Sequence, residues 1–582
     1  DGFGFLKVDA IAKASGIAED SDERVGAAIV YVLKQISEGE GHCYSLVEDL
    51  QERAIEVLLP LPKWASKKFA KNLNLALRDW TNEKEDFLKK NPVSKEELLE
   101  LDSWVAKRNI IINRMADILI TEHNDGHIVI DNERIYLAKI YNAETKLAED
   151  VVAMCNKEPV KYISPEQIEE AISDVENEEG YSLEEEQKNA VRTCLKNRFS
   201  IITGGPGRGK TTIIRTILEA WGDDDTVLLC APTGRASQKL KDSTGRPAGT
   251  IHRLVNRFLP SGLLVICDES SMLDIHLAHQ LITNSTNCNV VLVGDVDQLA
   301  PIGPGSFFKD LVESPLIPTV RLIKGHRNHG SIAQNAATVN AGKRMKHFVF
   351  DKAFEFLPTE KEQVQQTVLE EYMKLREKYD EKDICVLSPM RARSQGGVNN
   401  INELIRNKVN PYNYKAPKLN GCKFKVGDRV MQTKNMNKKE VYLENGNTDV
   451  GIFNGDCGKV VDISPEDNML HIVFDDGREA FYHKHETENL DYAYAMTVHK
   501  AQGSEYKAII VIHNMEHYIM LRKNLLYTAI TRAKEKVLLI GDKKAFDDAA
   551  SNVAARVFGE IKRNTNLKNR MLLQQETLLK VV

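Results

Sequence analysis

The sequence predicts an α/β fold built on parallel sheets with helices on both faces. A glycine-rich motif at residues 204–211 lies between an apolar run at 199–202 and a helical pattern at 212–221, as in a strand–loop–helix unit. Two groups of short apolar runs that end in polar residues alternate with helical patterns, which is typical of parallel, helix-flanked sheets. The first group comprises SIITG, TVLLCAPTG, LLVICDES and NVVLVGD, and the second comprises DICVLSP, AIIVIH and VLLIG.

The glycine-rich motif predicts a phosphate-binding loop. Gly204, Gly209, Lys210 and Thr211 fit the pattern G-x-x-x-x-G-K-[ST]. Glycines let successive backbone N–H groups face phosphate oxygens, which larger side chains would obstruct. We expect Lys210 to contact the β- and γ-phosphates and Thr211 to ligate Mg²⁺, with the phosphates at the N-terminus of the following helix.

Acidic and amide side chains follow two further apolar runs. Asp268 and Glu269 end the run LLVICDE, and Gln298 lies in GDVDQL after the next run. Hydrolysis of ATP needs a carboxylate that holds a metal ion and a base beside the attacking water. We therefore predict that Asp268 holds Mg²⁺, that Glu269 activates water, and that Gln298 orients this water or senses the γ-phosphate.

Two arginines are candidates for neutralising charge in the transition state of phosphoryl transfer, as an arginine finger does. Arg327 lies in LIKGHRNHG, and Arg532 follows the apolar helical segment 525–530. Because Arg532 begins a strand of the second group, we expect it to face the cleft between the two sheets.

Composition indicates a globular protein of several domains. The chain has 582 residues, of which 42% are hydrophobic, and lacks an apolar run long enough to span a membrane. Its nine cysteines are scattered without a C-x-x-C pair, which favours reduced thiols and a cytoplasmic location. The net charge of −6 means that any affinity for nucleic acid depends on local basic strips such as the run 423–439.

The motifs together resemble those of superfamily 1 helicases, in particular the RecD-like branch. The resemblance is carried by Gln187 in EEEQKNAV, the phosphate loop, APTGRAS (231–237), TIHRL (250–254), DESSM (268–272), GDVDQL (294–299), VLSPMR (386–391), MTVHKAQGSEY (496–506) and YTAITRAK (527–534). It is strong over residues 180–560. The helical N-terminal part and the β-rich segment opening GDRVMQTKN resemble the stand-alone members, which carry an N-terminal extension and an SH3-like insertion.

The resemblance implies two RecA-like motor domains with ATP between them and single-stranded DNA across both. The implied nucleotide-binding residues are Gln187, Gly205, Pro206, Gly207, Arg208, Gly209, Lys210, Thr211, Thr212, Gly503 and Glu505. The implied DNA-binding residues are Thr233, Arg235, Thr250, His252, Pro389, Arg391, Arg393, Thr497, His499 and Lys500. Phe424, Tyr492 and Tyr494 either stack on bases or belong to the core.

We predict five segments from these patterns. Residues 1–165 form a helical domain, whose Gly2–Gly4 opening resembles a helix–hairpin–helix entry, and residues 561–582 form a tail. The others are the first RecA-like domain at 166–345, the second at 346–423 and 485–560, and the SH3-like β-barrel at 424–484.

Three features depart from the pattern of RecD-like helicases. Arg208 stands where a threonine is usual, and HRN at 326–328 replaces the more usual F-R-Q. Only residues 255–262 separate TIHRL from the next apolar run, where relatives place a β-hairpin pin that separates duplex strands. Eight residues leave room for no more than a stub.

The resemblance and the motifs predict an ATP-dependent 5′→3′ translocase and helicase, which uses Mg²⁺, acts on single-stranded DNA and on junctions with duplex, and works as a monomer in repair or recombination. Two alternatives remain open: an ATPase that moves on DNA or remodels protein–DNA complexes without unwinding, and a non-catalytic DNA-binding subunit. The short 255–262 segment favours the first alternative, and the intact Lys210, Asp268, Glu269, Gln298 and Arg532 argue against the second.

Overall fold

A computed structural model describes residues 5–18, 20–77, 80–323, 330–392, 394–411, 417–443, 445–558 and 563–581. The chain divides into two compact units. The first contains the residues up to Lys146 together with Ile302–Gly305 and Arg563–Asn566, and the second contains the rest. In the described ranges, no helix combines the length and the apolar character that crossing a lipid bilayer requires.

The first unit is mainly helical, as predicted. Its small antiparallel sheet has the strand order Tyr44–Leu46, Arg134–Leu137, Ile128–Asp131. The helices are Phe5–Ala14, Asp22–Gln35, Val47–Leu58, Lys67–Ala76, Trp80–Lys90, Lys95–Asn124 and the first part of Ala138–Cys155, with a π-helical turn at Ile36–Glu40. Residues 1–4, which carry the predicted helix–hairpin–helix glycines, lie outside the described residues.

The first parallel sheet of the second unit carries the phosphate loop. Its strand order is Ala248–Thr250, Val227–Ala231, Leu264–Cys267, Asn289–Gly294, Phe199–Gly204, Thr319–Leu322. Strands Asn289–Gly294 and Phe199–Gly204 are buried along their whole length, because helices cover both faces of the sheet. These helices are Pro165–Glu179, Glu185–Lys196, Lys210–Trp221, Gly234–Thr244, Ile251–Leu254, Ile275–Asn284 and Phe307–Val312.

The second parallel sheet has the strand order Phe354–Pro358, Ala533–Gly541, Tyr506–His513, Ile384–Ser388, Ala495–Thr497. Helix Val364–Arg376 connects Phe354–Pro358 to Ile384–Ser388, and helix Lys523–Ile530 connects Tyr506–His513 to Ala533–Gly541, as parallel pairing requires. The helices of this domain are Ser331–Asn340, Val364–Arg376, Val398–Val409, Lys523–Ile530, Lys543–Ala550 and Val553–Phe558, and the chain ends in helix Leu567–Val581, which contacts helix Phe307–Val312.

An antiparallel half-barrel is inserted in the chain between strands Ile384–Ser388 and Ala495–Thr497 of the second sheet, which confirms the predicted SH3-like insertion. Its strand order is Thr448–Ile452, Met436–Tyr442, Glu479–His483, Met469–Phe474, Cys457–Ser464, Arg429–Gln432, Leu490–Tyr492. Along Met469–Phe474, buried and half-buried residues alternate, so one face packs on a core and the other faces solvent. Phe424 and Tyr494 are fully buried, which assigns these two aromatic residues to the core.

Candidate nucleotide site and nucleic-acid interface

The phosphate loop connects the end of strand Phe199–Gly204 to the start of helix Lys210–Trp221. Gly207 and Gly209 have φ angles of 70° and 78°, a left-handed conformation that glycine adopts without steric cost. The Lys210 ammonium donates hydrogen bonds to the carbonyl oxygens of Gly204 (2.6 Å) and Gly205 (3.2 Å), so it lies inside the loop. The motif therefore has the backbone that its glycines predict, with its cation at the centre.

Gln187 anchors this loop from the preceding helix. Its amide NH₂ donates to the carbonyl oxygen of Arg208 (3.1 Å), and its amide oxygen accepts from the backbone N–H of Glu184 (2.9 Å). The side chain is buried, and a Cβ at Gly209 would come within 2.1 Å of its amide nitrogen. Gln187 thus fixes the loop to the start of helix Glu185–Lys196.

Arg208 points toward strand Thr319–Leu322 and away from the centre of the loop. Its guanidinium donates to the carbonyl oxygens of Leu322, at 2.8 Å, and Ile323. These carbonyls end strand Thr319–Leu322, so the Arg208 side chain ties the loop to the edge of the sheet.

Asp268 and Glu269 follow strand Leu264–Cys267 directly. An Asp268 carboxylate oxygen accepts from the backbone N–H of Glu269 (2.8 Å), and Glu269 has φ 51°, which is uncommon for a residue with a side chain. Burial and the neighbouring Glu269 raise the pKa of Asp268, whereas the ammonium groups of Lys239 and Lys210 oppose the rise. The predicted metal ligand therefore lies within the electrostatic reach of the predicted phosphate-binding lysine.

A third acid, Asp295, ends the neighbouring strand Asn289–Gly294 and organises the predicted sensor Gln298. Its carboxylate accepts from the Gln298 amide (3.1 Å) and from the Tyr527 hydroxyl (2.9 Å). Burial raises the pKa of Asp295, and Lys210 opposes this rise. The Gln298 amide oxygen is buried without a hydrogen-bond partner in the described chain, so it retains an acceptor that no protein group uses.

Tyr527 was not singled out by the sequence. It lies on helix Lys523–Ile530 of the second parallel sheet and is 4% exposed. A Cβ at Gly205 would lie 2.9 Å from its hydroxyl, so this tyrosine of one sheet lies against the phosphate loop of the other.

Asp295 was quoted in the GDVDQL motif without a role. Its place directly after a buried strand is the signal that could have identified it.

Further hydrogen bonds join the two sheets beside Tyr527. The backbone N–H of Leu299 donates to the Thr528 hydroxyl (3.1 Å), and the Gln502 amide donates to the Leu299 carbonyl oxygen (3.1 Å). A cleft of about 260 Å³ opens next to this contact. Its lining includes Gly205, Pro206, Gly207, Arg208, Asn340 and Tyr527.

The predicted arginine finger Arg532 is 3% exposed. Its guanidinium donates to the carbonyl oxygens of Thr528 (3.2 Å) and Ser504 (3.3 Å), both in its own domain. The Glu505 carboxylate accepts a hydrogen bond from Lys239 of the first motor domain. Burial disfavours the ionised form of Glu505, but the positive charges of Lys239, Lys534 and Arg532 outweigh this effect and hold its pKa at about 2. The second candidate, Arg327, lies outside the described residues.

Comparisons with known proteins identify relatives along most of the chain. Four family models match: an AAA domain over residues 182–361, a UvrD-like helicase C-terminal domain over 492–540, an ATP-dependent RecD-like DNA helicase SH3 domain over 401–474, and an ATP-dependent RecD2 DNA helicase HHH domain over 1–44.

Curated relatives cover most of the chain. The ATP-dependent RecD2 DNA helicase of Deinococcus radiodurans is 28% identical over 570 residues, which is 95% of this chain and 70% of that protein. The RecBCD enzyme subunit RecD of Mycolicibacterium smegmatis is 28% identical and covers 74% of this chain and 82% of its own. The chain is thus similar to the RecD-like superfamily 1 helicases along most of its length. Among solved structures, Bacteroides Pif1 bound to ssDNA matches with 20% identity and a TM-score of 0.37, over 62% of this chain and 94% of that chain.

In this RecD-like chain, several predicted DNA-binding residues of the first motor domain have structural partners. Thr233 caps helix Gly234–Thr244 by accepting from the Ala236 N–H (3.2 Å), and a Cβ at Gly503 would lie 3.1 Å from its hydroxyl. The Arg235 guanidinium donates to the hydroxyl oxygens of Ser504 (3.0 Å) and Tyr506 (2.8 Å).

Two other predicted contacts of the first domain lie at the end of strand Ala248–Thr250. His252 is exposed on the short helix that follows this strand. The Thr250 hydroxyl is buried and has no hydrogen-bond partner in the described chain, so it is an unused polar group at the strand end.

The predicted DNA-binding residues of the second motor domain lie at the carboxyl ends of two adjacent strands. Ser388 pairs with Thr497 where these two parallel strands end. Pro389, which is buried, and Arg391 follow the first strand, and His499 and Lys500 follow the second. Arg391, Lys423 and Lys500 all pair with Asp491. Arg393 lies outside the described residues.

Tyr492 is half-buried and flanked by cations. Arg406 and Lys423 lie 5.1 Å and 5.4 Å from its ring centre, and its hydroxyl donates to the Lys423 carbonyl oxygen (2.8 Å). Both ring contacts are with side chains of the protein, which favours the structural interpretation of this aromatic residue over base stacking.

The segment predicted to be a stub contains no strand. Residues 255–263, all of which the structure describes, run as a loop from helix Ile251–Leu254 to strand Leu264–Cys267. Phe258 at its middle is 69% exposed. The chain therefore has no hairpin at this position of its sequence.

Replacing Gly209 by Ala tests the anchoring of the phosphate loop. We expect a loss of roughly 2–3 kcal/mol of stability, because the left-handed φ costs about 1–2 kcal/mol and the displaced Gln187 hydrogen bond contributes about 1 kcal/mol. Gly245→Ala is the matched control: its φ is 69°, but no atom lies within 4 Å of the added Cβ. Denaturant unfolding, monitored by hydrogen exchange in the first motor domain, measures the loss of stability in each variant. Equal losses in both variants would contradict the anchoring role of Gln187.

Proposed function

We propose that this chain is an ATP-driven motor that moves 5′→3′ along single-stranded DNA and separates duplex strands. The observation that supports it most is the convergence of Lys210, Asp268 and Asp295 at the carboxyl edge of the first sheet, with Tyr527 of the second sheet on the same group. A nucleotide at this edge contacts both motor domains, so its hydrolysis changes how they are held together.

The proposed nucleotide site uses the phosphate loop and the cleft beside it. Backbone N–H groups of Gly205 to Thr212 surround the phosphates, and Lys210 exchanges its bonds to the loop carbonyls for bonds to phosphate oxygens. Gln187 holds the loop in shape through the Arg208 carbonyl. Gly503 and Glu505 complete the site from the second domain, where Glu505 remains ionised at neutral pH.

The residues at the site suit Mg²⁺. Asp268 is half-buried and the pKa of its carboxylate is raised, which a nearby cation would reverse, and Thr211 supplies a hydroxyl at the start of the helix. Oxygen ligands of this kind, completed by phosphate oxygens and water, are those that Mg²⁺ prefers. When bound, the ion neutralises charge on the phosphate oxygens.

In the proposed reaction, Glu269 accepts a proton from water as the water oxygen attacks the γ-phosphorus. The bond from the γ-phosphorus to the bridging oxygen breaks, and ADP and phosphate leave. Gln298 orients the water with its unused amide oxygen. Arg532, and by resemblance Arg327, neutralise negative charge in the transition state. To reach the γ-phosphate, Arg532 must give up its hydrogen bonds to the carbonyl oxygens of Thr528 and Ser504.

The proposed DNA track follows the same edge of both sheets. Thr233, Arg235, Thr250 and His252 contribute from the first domain. Pro389, Arg391, Arg393, Thr497, His499 and Lys500 contribute from the second. Such hydroxyl and basic groups contact the phosphates and sugars without reading bases. We expect the motor to act as a monomer in the cytoplasm, on single strands and on junctions with duplex, in repair or recombination.

The loop at 255–263 favours a second candidate function. A motor without a strand-separating hairpin moves along one strand and displaces bound proteins, and opens no duplex. The two functions share the ATPase site and the DNA track, so only strand displacement separates them.

Lys210→Ala tests the ATPase site. We expect ATP turnover to fall by at least about 100-fold, because the charge that stabilises the transferred phosphoryl group is lost. Binding of a labelled single-stranded oligonucleotide is expected to remain within about twofold, since Lys210 lies in the phosphate loop and not on the track. Residual turnover at the wild-type rate would show that another site hydrolyses ATP.

Tyr527→Phe tests the contact between the motor domains. It removes the hydroxyl from Asp295, so we expect DNA-stimulated kcat to fall about tenfold while the KM for ATP changes less than about twofold. Tyr372→Phe is the matched control, because the Tyr372 hydroxyl is buried in the same domain without a hydrogen-bond partner in the described chain. A rise in KM with unchanged kcat would instead place Tyr527 in ground-state binding.

Strand displacement on matched duplexes with a 5′ or a 3′ single-stranded tail, with ATP turnover recorded alongside, tests direction and unwinding. We expect only the 5′-tailed duplex to open. DNA-stimulated turnover without opening of either duplex would support the translocase instead, and opening of the 3′-tailed duplex alone would contradict the proposed direction.

A further inference from the structure

One carboxylate lies among the cations of the proposed DNA track. Asp491, on strand Leu490–Tyr492, accepts from the Arg391 guanidinium at 2.6 Å, and the ammonium groups of Lys423 and Lys500 lie 3.5 Å and 3.7 Å from its oxygens. We call Arg391, Lys423 and Lys500 the cation cluster. Three positive charges therefore share one negative charge, which leaves a net charge of about +2 at this point.

The cation cluster lies at the carboxyl edge of the second parallel sheet, where parallel sheets usually bind ligands. Arg391 follows strand Ile384–Ser388 and Lys500 follows strand Ala495–Thr497, and these strands are neighbours in the second sheet. Lys423 reaches the same carboxylate from the segment that leads into the half-barrel, with its ammonium 4.9 Å from the ring centre of Phe424. The carboxyl ends of adjacent parallel strands form the usual ligand-binding edge.

The cluster is open to solvent and positively charged. The side chains of Arg391 and Lys423 are 58% and 53% exposed, whereas Asp491 is 24% exposed. Burial lowers the pKa of Lys500, Asp491 opposes this shift, and Arg391 adds to it, so positive charge is crowded here even with Asp491 in place. A carboxylate and a phosphodiester are both oxyanions that such cations bind in the same way.

We propose that Asp491 competes with the nucleic-acid backbone for these cations: a phosphate of single-stranded DNA takes its place on Arg391, Lys423 and Lys500, and the carboxylate recovers them when the strand moves on. This inference rests on the proposed function. Asp491 weakens the grip of the second motor domain on the strand, and a motor that must release DNA at each step needs such a limit.

Asp491→Asn tests the competition in the full chain, with a fluorescently labelled oligo-dT as the probe. We expect the Kd to fall by about three- to tenfold at low salt, because the cations no longer exchange a charged partner for phosphate. Asp491→Glu retains the carboxylate and is expected to bind as the wild type does. Thermal unfolding confirms that each variant is folded, and Asp491→Ser carries the same expectation if Asp491→Asn does not fold.

Asp383→Asn is the matched control. Asp383 pairs with Lys507 at 2.8 Å and is 22% exposed, but it precedes the same strand, Ile384–Ser388, at its amino end. The change in net charge is identical, so we expect the Kd to stay within about twofold of wild type. A double-mutant cycle with Lys423→Met adds a second test: Lys423→Met weakens binding, and the gain from Asp491→Asn is smaller in its presence.

The outcomes are distinct. Tighter binding of Asp491→Asn than of Asp383→Asn, with a reduced gain beside Lys423→Met, supports the competition. Unchanged or weaker binding of Asp491→Asn, in a chain whose wild type binds oligo-dT, overturns it and makes Asp491 an organiser of the cluster. A wild-type chain that neither binds oligo-dT nor shows DNA-stimulated ATP turnover overturns the proposed function itself.

Discussion

Parallel strand pairing is the constraint on which the candidate site depends. In a parallel sheet, all strands end at the same edge, so residues distant in sequence meet there without any direct contact being specified between them. Lys210, Asp268 and Asp295 belong to three different strand ends and come together for this reason. The same constraint in the second sheet places Arg391 beside Lys500.

The contact between the two sheets is built on a buried acid. Asp295 is 1% exposed, and a buried carboxylate is costly unless donors satisfy it. Gln298 and the backbone N–H of Asp297 supply donors from the same domain, and Tyr527 supplies one from the second sheet. One of the hydrogen bonds of the acid therefore depends on the second domain, which links the position of that domain to the group that holds Gln298.

How far the sequence predicts this structure differs between local and long-range features. The phosphate loop, four of the six strands of the first sheet and three of the five strands of the second were predicted, because apolar runs and glycine motifs act over a few residues. Tyr527 and Asp491 were missed because each contacts a residue far away in the sequence. Asp295 lies 232 residues from Tyr527, and Arg391 lies 100 residues from Asp491. Gln187 was assigned to nucleotide binding by resemblance, and in this structure its two amide hydrogen bonds join Glu184 to the phosphate loop.

The half-barrel is attached to the two motor domains by different forces. Met431 and Cys457 of the half-barrel belong to the same apolar core as Phe354 and Leu387 of the second sheet. Its contacts with the first motor domain include the Phe453 ring against Gly234 and several ion pairs. Arg253 pairs with Asp449 at 3.0 Å, with both side chains more than a third exposed, and Arg235 lies 3.6 Å from Asp475.

Apolar burial contributes several kcal/mol at such a core, whereas an exposed ion pair contributes roughly 0–1 kcal/mol. Separating the half-barrel from the second sheet would expose that core, whereas separating it from the first motor domain breaks ion pairs that water can replace and exposes the Phe453 ring beside Gly234. The weaker surface is therefore the one against the first domain. We therefore expect that, in the proposed nucleotide-driven movement of the two motor domains, the half-barrel and the cation cluster around Asp491 move together with the second sheet.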